Sequence, residues 1–275
     1  NYAMTSTATG GFGTESGSIA TFHSPAEEYV CTIFCFLSGV NFTLLYTSVA
    51  GFKLKAMIKN SEFKFYAAMI AGFTLFIMLE LIFRCNYEVE HAFRSSVFQV
   101  VSFITTTGLY SDDAAKWPHV TWVVLAACMF FGGSSGSTSG GIKSIRGVML
   151  LKVVKNEFRQ ILHPNAVLPM KIDGYNVQMS KRVTLLGFIG LYLFLAVICA
   201  FTMIAAGIDS TNSMTITLSC LGNVGPTLGL EIGPTMSWNE LPDFAKWISS
   251  FLMLVGRLEL FSVLVLFTPS FWKEN

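Results

Sequence analysis

Apolar residues gather in long runs separated by short polar segments. Four runs, roughly Glu28–Phe52, Phe65–Phe83, Val183–Ile208 and Phe244–Phe267, are long enough or nearly so to cross a bilayer as helices, which takes about 20 residues. A fifth, from Thr121 to about Leu151, begins apolar (TWVVLAACMFF), collapses into GGSSGSTSGG over Gly132–Gly141, and resumes as IKSIRGVMLLKVV. This pattern predicts a broken transmembrane helix. At membrane depth such a break is tolerated only where the backbone lines a cavity or is buried in protein.

Three shorter segments share one design. Ala3–Phe12 (AMTSTATGGF), Val97–Tyr110 (VFQVVSFITTTGLY) and Thr215–Leu228 (TITLSCLGNVGPTL) each pair an apolar or small-residue half-helix with a Ser/Thr/Asn-rich tripeptide and a Gly. Aligning Gly10, Gly108 and Gly225 superposes them, and a span follows each. The module is a span, a re-entrant half-helix, a Gly-containing loop and a second span. Residues 1–60 carry the loop and second span of an incomplete module. Residues 61–180 (helical part about 65–160) and 181–275 carry two complete ones.

The physics of this module points to ion permeation. A half-helix ending inside the membrane aims the negative end of its dipole at the pore. The loop after it can present carbonyls in place of a cation's hydration shell. Gly permits the backbone angles this needs, and Thr7, Thr9, Thr105, Thr106 and Thr107 add hydroxyl acceptors. One such tripeptide alone fits a polar reverse turn equally well; three at the same place in a repeating unit carry the argument.

Composition narrows the class. Of 275 residues, 52% are hydrophobic and only 13% charged, 18 Lys+Arg against 17 Asp+Glu, where a soluble domain carries about 25% charged. Disorder, a basic nucleic-acid binder and a disulfide scaffold are thereby excluded. The six Cys show no CxxC pairing, and neither Cys nor His has metal-ligand spacing. An all-α polytopic membrane protein remains. The charges are sorted along it. Lys53, Lys55, Lys59 and Lys64 oppose only Glu62; Lys143, Arg146, Lys152, Lys155, Arg159, Lys171, Lys181 and Arg182 oppose Glu157 and Asp173. The alternate loops are acidic, with Glu88, Glu90, Asp112 and Asp113 in one and Asp209, Glu231, Glu240 and Asp243 in the other. Basic segments therefore face the cytoplasm and acidic loops face out. The chain starts at Asn1-Tyr2 with neither an initiator Met nor a signal peptide, and the expectation is a piece of a longer chain.

Mid-span charges are functional candidates by default. Arg257 and Glu259 lie two apart in the last run and so face different ways. Glu80 and Arg84 have the spacing of a helix-end pair near the outer surface. Two soluble-enzyme patterns fail on context. Gly132-Gly-Ser-Ser-Gly136 fits a hydrolase nucleophile elbow but has no preceding strand, and His23, His91, His119 and His163 lie in scattered loops. Gly136–Ser144 nearly spells a phosphate-binding loop, but Ile142 spoils the spacing.

SFITTTGLYSDD (102–113), FGGSSGSTSGGIKSIR (131–146), LGNVGPTLG (221–229) and GRLELFSVLVLFTP (256–269) resemble the Trk/Ktr/HKT superfamily of potassium transporters, most closely its bacterial TrkH/TrkG type. The resemblance implies four potassium-channel-like M1–P–M2 repeats around one pseudo-fourfold pore. This sequence would hold the end of the second repeat and all of the third and fourth. By the same resemblance Gly10, Gly108 and Gly225 are filter glycines. Thr9, Thr107 and Val224, with Ala8, Thr106 and Asn223, supply the remaining carbonyls to K⁺, and Gly rather than Ser at the three positions favours potassium over sodium. Gly132, Gly133, Gly136, Gly140 and Gly141 belong to an intramembrane gating loop, although the spacing Gly132-xxx-Gly136-xxx-Gly140 also suits close helix packing. Arg257 faces the pore as an electrostatic barrier and Glu259 is structural. Lys143 either repels cations or snorkels to the interface.

The implied protein is a non-enzymatic potassium uptake pore of the bacterial inner membrane. It needs no organic cofactor and binds no nucleic acid. Its surroundings are membrane lipid, a second copy in a homodimer, and a cytosolic nucleotide-binding regulatory subunit docked on the basic surface Lys143–Arg182. The competing expectations are an alternating-access transporter of another substrate, a sodium-selective member, and a non-transporting membrane subunit.

Overall fold

The computed structural model describes residues 1–15, 17–52, 54–166, 168–229 and 238–273. Lys53 and Glu231, counted above among the sorted charges, lie outside the described residues, as does the side chain of Glu240. The chain is helical almost throughout: α1 Tyr2–Ala8, α2 Pro25–Ser38, α3 Phe42–Ala50, α4 Leu54–Lys59, α5 Ser61–Cys85, α6 Val89–Ile104, α7 His119–Phe130, α8 Ser144–Leu162, α9 Met179–Ala205, α10 Ser210–Gly222, α11 Asp243–Arg257 and α12 Leu260–Leu264. A small antiparallel hairpin pairs β1 (Lys171–Ile172) with β2 (Tyr175–Asn176). Its Asp173-Gly174 turn takes positive φ at both residues, as a tight two-residue hairpin requires. The Asp173 carboxylate accepts bonds from the Ser61 amide (3.0 Å) and hydroxyl (2.6 Å). The hairpin thus seals the start of α5.

Helices α5 and α9 are the two described helices long and apolar enough to cross a membrane unaided. They match the runs Phe65–Phe83 and Val183–Ile208. Asn60 caps α5 by accepting the Phe63 amide at 2.9 Å, which sets its start. The run Thr121–Leu151 divides as expected, into α7 and α8. Two runs expected to be continuous are not: α2 and α3 meet at 103°, and α11 and the segment Leu260–Phe267 at 115°. The first break is local chemistry. Gly39 ends α2, and the Asn41 side chain caps α3 by accepting the Leu44 amide at 3.0 Å. At the second, Glu259 adopts φ 65°, and the turn sends Arg257 and Glu259 to separate partners described below.

The interior forms two main clusters. One joins Tyr66, Ile77 and Leu81 of α5 to Val101 and Phe103 of α6, Leu125 and Met129 of α7, and Cys35 of α2. The other joins Tyr192 and Met203 of α9 to Ile216 and Leu221 of α10 and Leu252 and Val255 of α11. Ile142, from the segment between α7 and α8, belongs to the second cluster, so that segment lies on the seam between them. Leu75, Phe76, Leu79 and Phe83 on α5 and Leu193, Phe194, Val197 and Phe201 on α9 point outward and are exposed. An apolar surface of that extent is suited to lipid. Helices α6 and α10 are buried along most of their length and carry polar residues among the apolar ones, Ser95, Ser96, Gln99 and Ser102 on α6 and Ser213, Thr217 and Ser219 on α10, whereas α1 buries only Thr5 and Ser6.

Candidate functional site

Helices α1, α6 and α10 end at a common point, and the chain leaves each in the same way. The amides of Gly10, Thr107 and Val224 reach back five residues to the carbonyls of Thr5, Ser102 and Ser219, at 3.0, 2.9 and 2.9 Å. The residue before each is left-handed: Thr9 (φ 52°), Thr106 (φ 55°) and Asn223 (φ 57°). The residue after each is a glycine with positive φ: Gly11 (76°), Gly108 (78°) and Gly225 (104°). Hydroxyls close two of the loops identically, Thr5 to the Phe12 carbonyl (2.8 Å) and Ser102 to that of Leu109 (2.6 Å). In the third, Ser219 accepts the Gly225 amide at 3.1 Å.

This geometry corrects the alignment of the first loop by one residue. Gly11, rather than Gly10, occupies the position of Gly108 and Gly225. Thr9 corresponds to Thr106 and Asn223, and Gly10 to Thr107 and Val224. Ala8 is the last, exposed residue of α1 and drops out of the set. The physical reason is backbone angle: among adjacent glycines, the one forced to positive φ marks the register, and sequence cannot say which that is.

The three loops lie side by side around one cavity of about 360 Å³, lined by Thr9, Gly10, Gly11, Thr106, Thr107, Gly108, Asn223, Val224 and Gly225 among others. A methyl group at Gly11 would sit 2.7 Å from the carbonyl oxygen of Thr107, and one at Gly108 would fall onto that of Val224. The first loop therefore touches a carbonyl of the second, and the second a carbonyl of the third. At Gly10 a methyl meets nothing within 4 Å. The threonine hydroxyls, expected to add acceptors, are spent elsewhere. Thr105 donates to Val101 of its own helix at 2.7 Å and shares a 2.8 Å bond with Thr107, and Thr7 donates back to Ala3 at 3.0 Å. Thr9 donates to the Thr138 carbonyl at 3.0 Å, and Thr106 accepts the Gly140 amide at 2.6 Å.

Those last two bonds seat the segment between α7 and α8 directly against the loops. Residues 131–143 contain no helix, so Gly132, Gly136 and Gly140 form no helix-packing face. The segment doubles back instead, with the Gly132 amide on Ile142 (2.8 Å) and the Ile142 amide on Phe130 (3.2 Å). Gly133 and Gly140 are buried, and a methyl at Gly140 would lie 2.6 Å from the Gly222 carbonyl. Gly136 and Gly141 take positive φ, 73° and 66°. A second, polar cavity of about 230 Å³ is lined by Ser137–Gly141, Lys143 and Gly256, Arg257 and Glu259. Arg257 donates to the Thr138 carbonyl at 3.1 Å. Glu259 pairs with Arg146 at 2.8 Å. The Lys143 amine donates to the Ser139 carbonyl.

Three contributing residues are not evident from the sequence. Gly39 and Asn41, at the unexpected break, hold the same segment through the Gly39 carbonyl (Ser134 amide, 2.8 Å) and the Asn41 amide group (Ser135 carbonyl, 2.5 Å). The signal was present as Gly-Val-Asn, a helix end followed by a cap, but it lay inside an apolar run. Glu62, read only as a lone acid among lysines, is buried and accepts three bonds from the same region.

On the opposite side, the acidic loops serve structure. Asp209 caps α10 through the Thr211 amide at 2.9 Å. Asp112 accepts from Tyr87 (3.2 Å) and Trp117 (3.3 Å); burial first, and the Asp112 charge second, push the Tyr87 phenol up to about 12. Glu80 and Arg84 form the expected pair at 2.8 Å.

Comparison with known proteins gives consistent matches. The family model "TrkH: Cation transport protein" matches residues 1–274. The Trk system potassium uptake protein TrkH of Halomonas elongata is 34% identical over 273 residues, covering 99% of this chain and 56% of that protein. TrkH of Escherichia coli K12 is 35% identical over 276 residues with the same coverage, and its TrkG is 33% identical over 274. The crystal structure of the potassium transporter TrkH from Vibrio parahaemolyticus superposes with a TM-score of 0.91 at 33% identity, over 98% of this chain and 57% of that one. The chain thus spans about half the length of the relatives it matches.

Proposed function

The chain belongs to the TrkH family of cation transport proteins, and from that premise we propose that it forms part of the pore of a potassium uptake system, as a multi-pass protein of the bacterial inner membrane. The observation that carries this reading is the threefold recurrence of one loop geometry around a single cavity, with a Gly/Ser segment hydrogen-bonded against it. Carbonyls of Gly10, Thr107 and Val224, with those of Thr9, Thr106 and Asn223, replace the hydration shell of K⁺. The C-terminal ends of α1, α6 and α10 add their partial negative charge at the same place.

Residues 1–60, 61–180 and 181–275 contribute one loop each to a pseudo-fourfold ring. K⁺ descends from the acidic outer face, driven by the membrane potential, and meets the segment 132–143 as a gate. Arg257 and Lys143 place positive charge at its cytoplasmic side, where a cation feels it most strongly. The basic surface Lys143–Arg182 suits a cytosolic nucleotide-binding regulator, and a second copy of the chain completes a homodimer in lipid.

Rubidium uptake into liposomes by the full-length protein tests the reading. Flux that saturates with K⁺ and discriminates against Na⁺ is expected; its absence makes the protein a non-transporting subunit. Gly108→Ser should erode the K⁺/Na⁺ preference, and an unchanged preference sinks the filter assignment.

A further inference from the structure

Residues 132–143 are held in two different ways along their length. The flanks are bound to helices. Ser134 and Ser135 are fastened to the α2–α3 break through the Gly39 carbonyl and the Asn41 amide group, and the Phe42 amide reaches the Gly136 carbonyl at 3.2 Å. The buried carboxylate of Glu62, in the first turn of α5, holds both flanks at once. One oxygen accepts the amides of Ser135 (2.6 Å) and Ile145 (3.2 Å), and the other accepts the Ser135 hydroxyl at 3.1 Å. Ile145 lies in the first turn of α8, whose preceding residue Lys143 provides no side-chain cap. Glu62 therefore supplies from another helix the anionic acceptor that this helix start lacks. The centre, Ser137–Gly140, touches no carboxylate anchor among the described residues: Thr9 and Thr106 of the loops above, Arg257 and Lys143 hold it, Ser137 bonds to the neighbouring Ser134 carbonyl, and the Thr138 hydroxyl reaches the Thr7 and Ser38 carbonyls only at 3.4 Å. Gly136 and Gly141, both at positive φ, separate centre from flanks.

We infer that Glu62 is the positioning residue of the gate: it pins Ser135 and Ile145 to α5, so that only Ser137–Gly140 moves, turning about Gly136 and Gly141. The inference rests on the gating role proposed above. A fixed post matters because a loop free at both ends gains conformational entropy on leaving its seat, whereas one clamped at both flanks has few alternatives to the closed position. The carboxylate also satisfies two part-buried amides, which lose their acceptor when it is removed. Gln can reproduce the arrangement, with its carbonyl oxygen on the two amides and its amino group donating to the Ser135 oxygen. Leu cannot.

The test is flux through the full-length protein in liposomes, without its regulator, compared among wild type, Glu62→Leu, Glu62→Gln and Ser135→Ala. Glu62→Leu is expected to raise basal rubidium flux about tenfold, with K⁺/Na⁺ preference retained and Glu62→Gln close to wild type. Basal flux equal to wild type in Glu62→Leu overturns the inference. So does a rise accompanied by lost K⁺/Na⁺ preference, since the loops above, rather than the gate, have then been disturbed. Should Glu62→Leu fail to fold, Ser135→Ala decides: a smaller rise in basal flux supports the post, and no rise overturns it. Absence of flux in the wild-type protein is a separate result, which removes the transport reading itself.

Discussion

Two Gly-rich interruptions of helix face each other inside this protein, and they are built on opposite principles. Each of the three upper loops is wrapped by bonds to its own half-helix: an amide reaching back five residues, and a Thr or Ser hydroxyl bonded within the same loop. The segment 132–143 has some internal bonds, but most of what fixes its position comes from elsewhere, from Gly39, Asn41, Glu62, Thr9, Thr106 and Arg257. A loop closed on itself stays rigid when its surroundings shift. A segment held by neighbours can exchange those neighbours without losing its own fold. Glycine therefore does different work in the two. In the loops it permits a fixed angle that brings one loop against a carbonyl of the next; in the segment it takes positive φ at Gly136 and Gly141, on either side of the piece inferred above to move.

Four substitutions sharpen this contrast. The largest effect is expected in the rigid loops. Gly11→Ala puts a methyl 2.7 Å from the Thr107 carbonyl at a residue with φ 76°, a conformation that by itself costs about 1–2 kcal/mol for an L side chain. Ion preference, read as the ratio of rubidium to sodium uptake, should fall about tenfold. Gly10→Ala, which meets open space, should reduce it much less. Equal losses from the two would return the register to Gly10.

A smaller, opposite effect is expected in the segment. Arg257→Ala removes the 3.1 Å bond to Thr138 together with positive charge, so basal flux should rise several-fold while ion preference is kept; a fall in flux would show that Arg257 assists passage instead. The smallest effect comes from Ser102→Ala. Losing the buried 2.6 Å bond to Leu109 should cost about 1 kcal/mol, seen as a melting temperature lower by a few degrees. Ion preference that collapsed with it would mean the loop depends on that one hydroxyl more than its amide bonds suggest.

Much of this arrangement is legible along the chain. The runs that become α5 and α9, the interruption at Gly132–Gly141 and the three Gly-bearing tripeptides can all be read from residue type and spacing, because hydropathy over 20 residues and the freedom of glycine are local properties. The breaks at Gly39–Asn41 and Leu258–Glu259 are not legible in the same way. Each interrupts an apolar run that would satisfy a straight helix, and its advantage lies in what the bend reaches: Ser134 and Ser135 for one, Thr138 and Arg146 for the other. The alignment of the first loop fails for a related reason. Gly10 and Gly11 are identical as letters, and only the folded chain distinguishes them, by the positive φ of Gly11 and its approach to the Thr107 carbonyl.

Sequence alone thus determined the class of the protein, the sorting of its charges along the chain and the residues from which a repeated loop could be made. Tertiary structure decided which glycine carries the turn, which hydroxyls are already spent on the segment below, and that a lone acid among lysines, Glu62, is a buried anchor. The division follows from range. Lipid solubility and backbone freedom belong to a residue and its near neighbours, whereas a buried hydrogen bond belongs to two partners that the chain brings together from dozens of residues apart, and neither partner's identity is written beside the other.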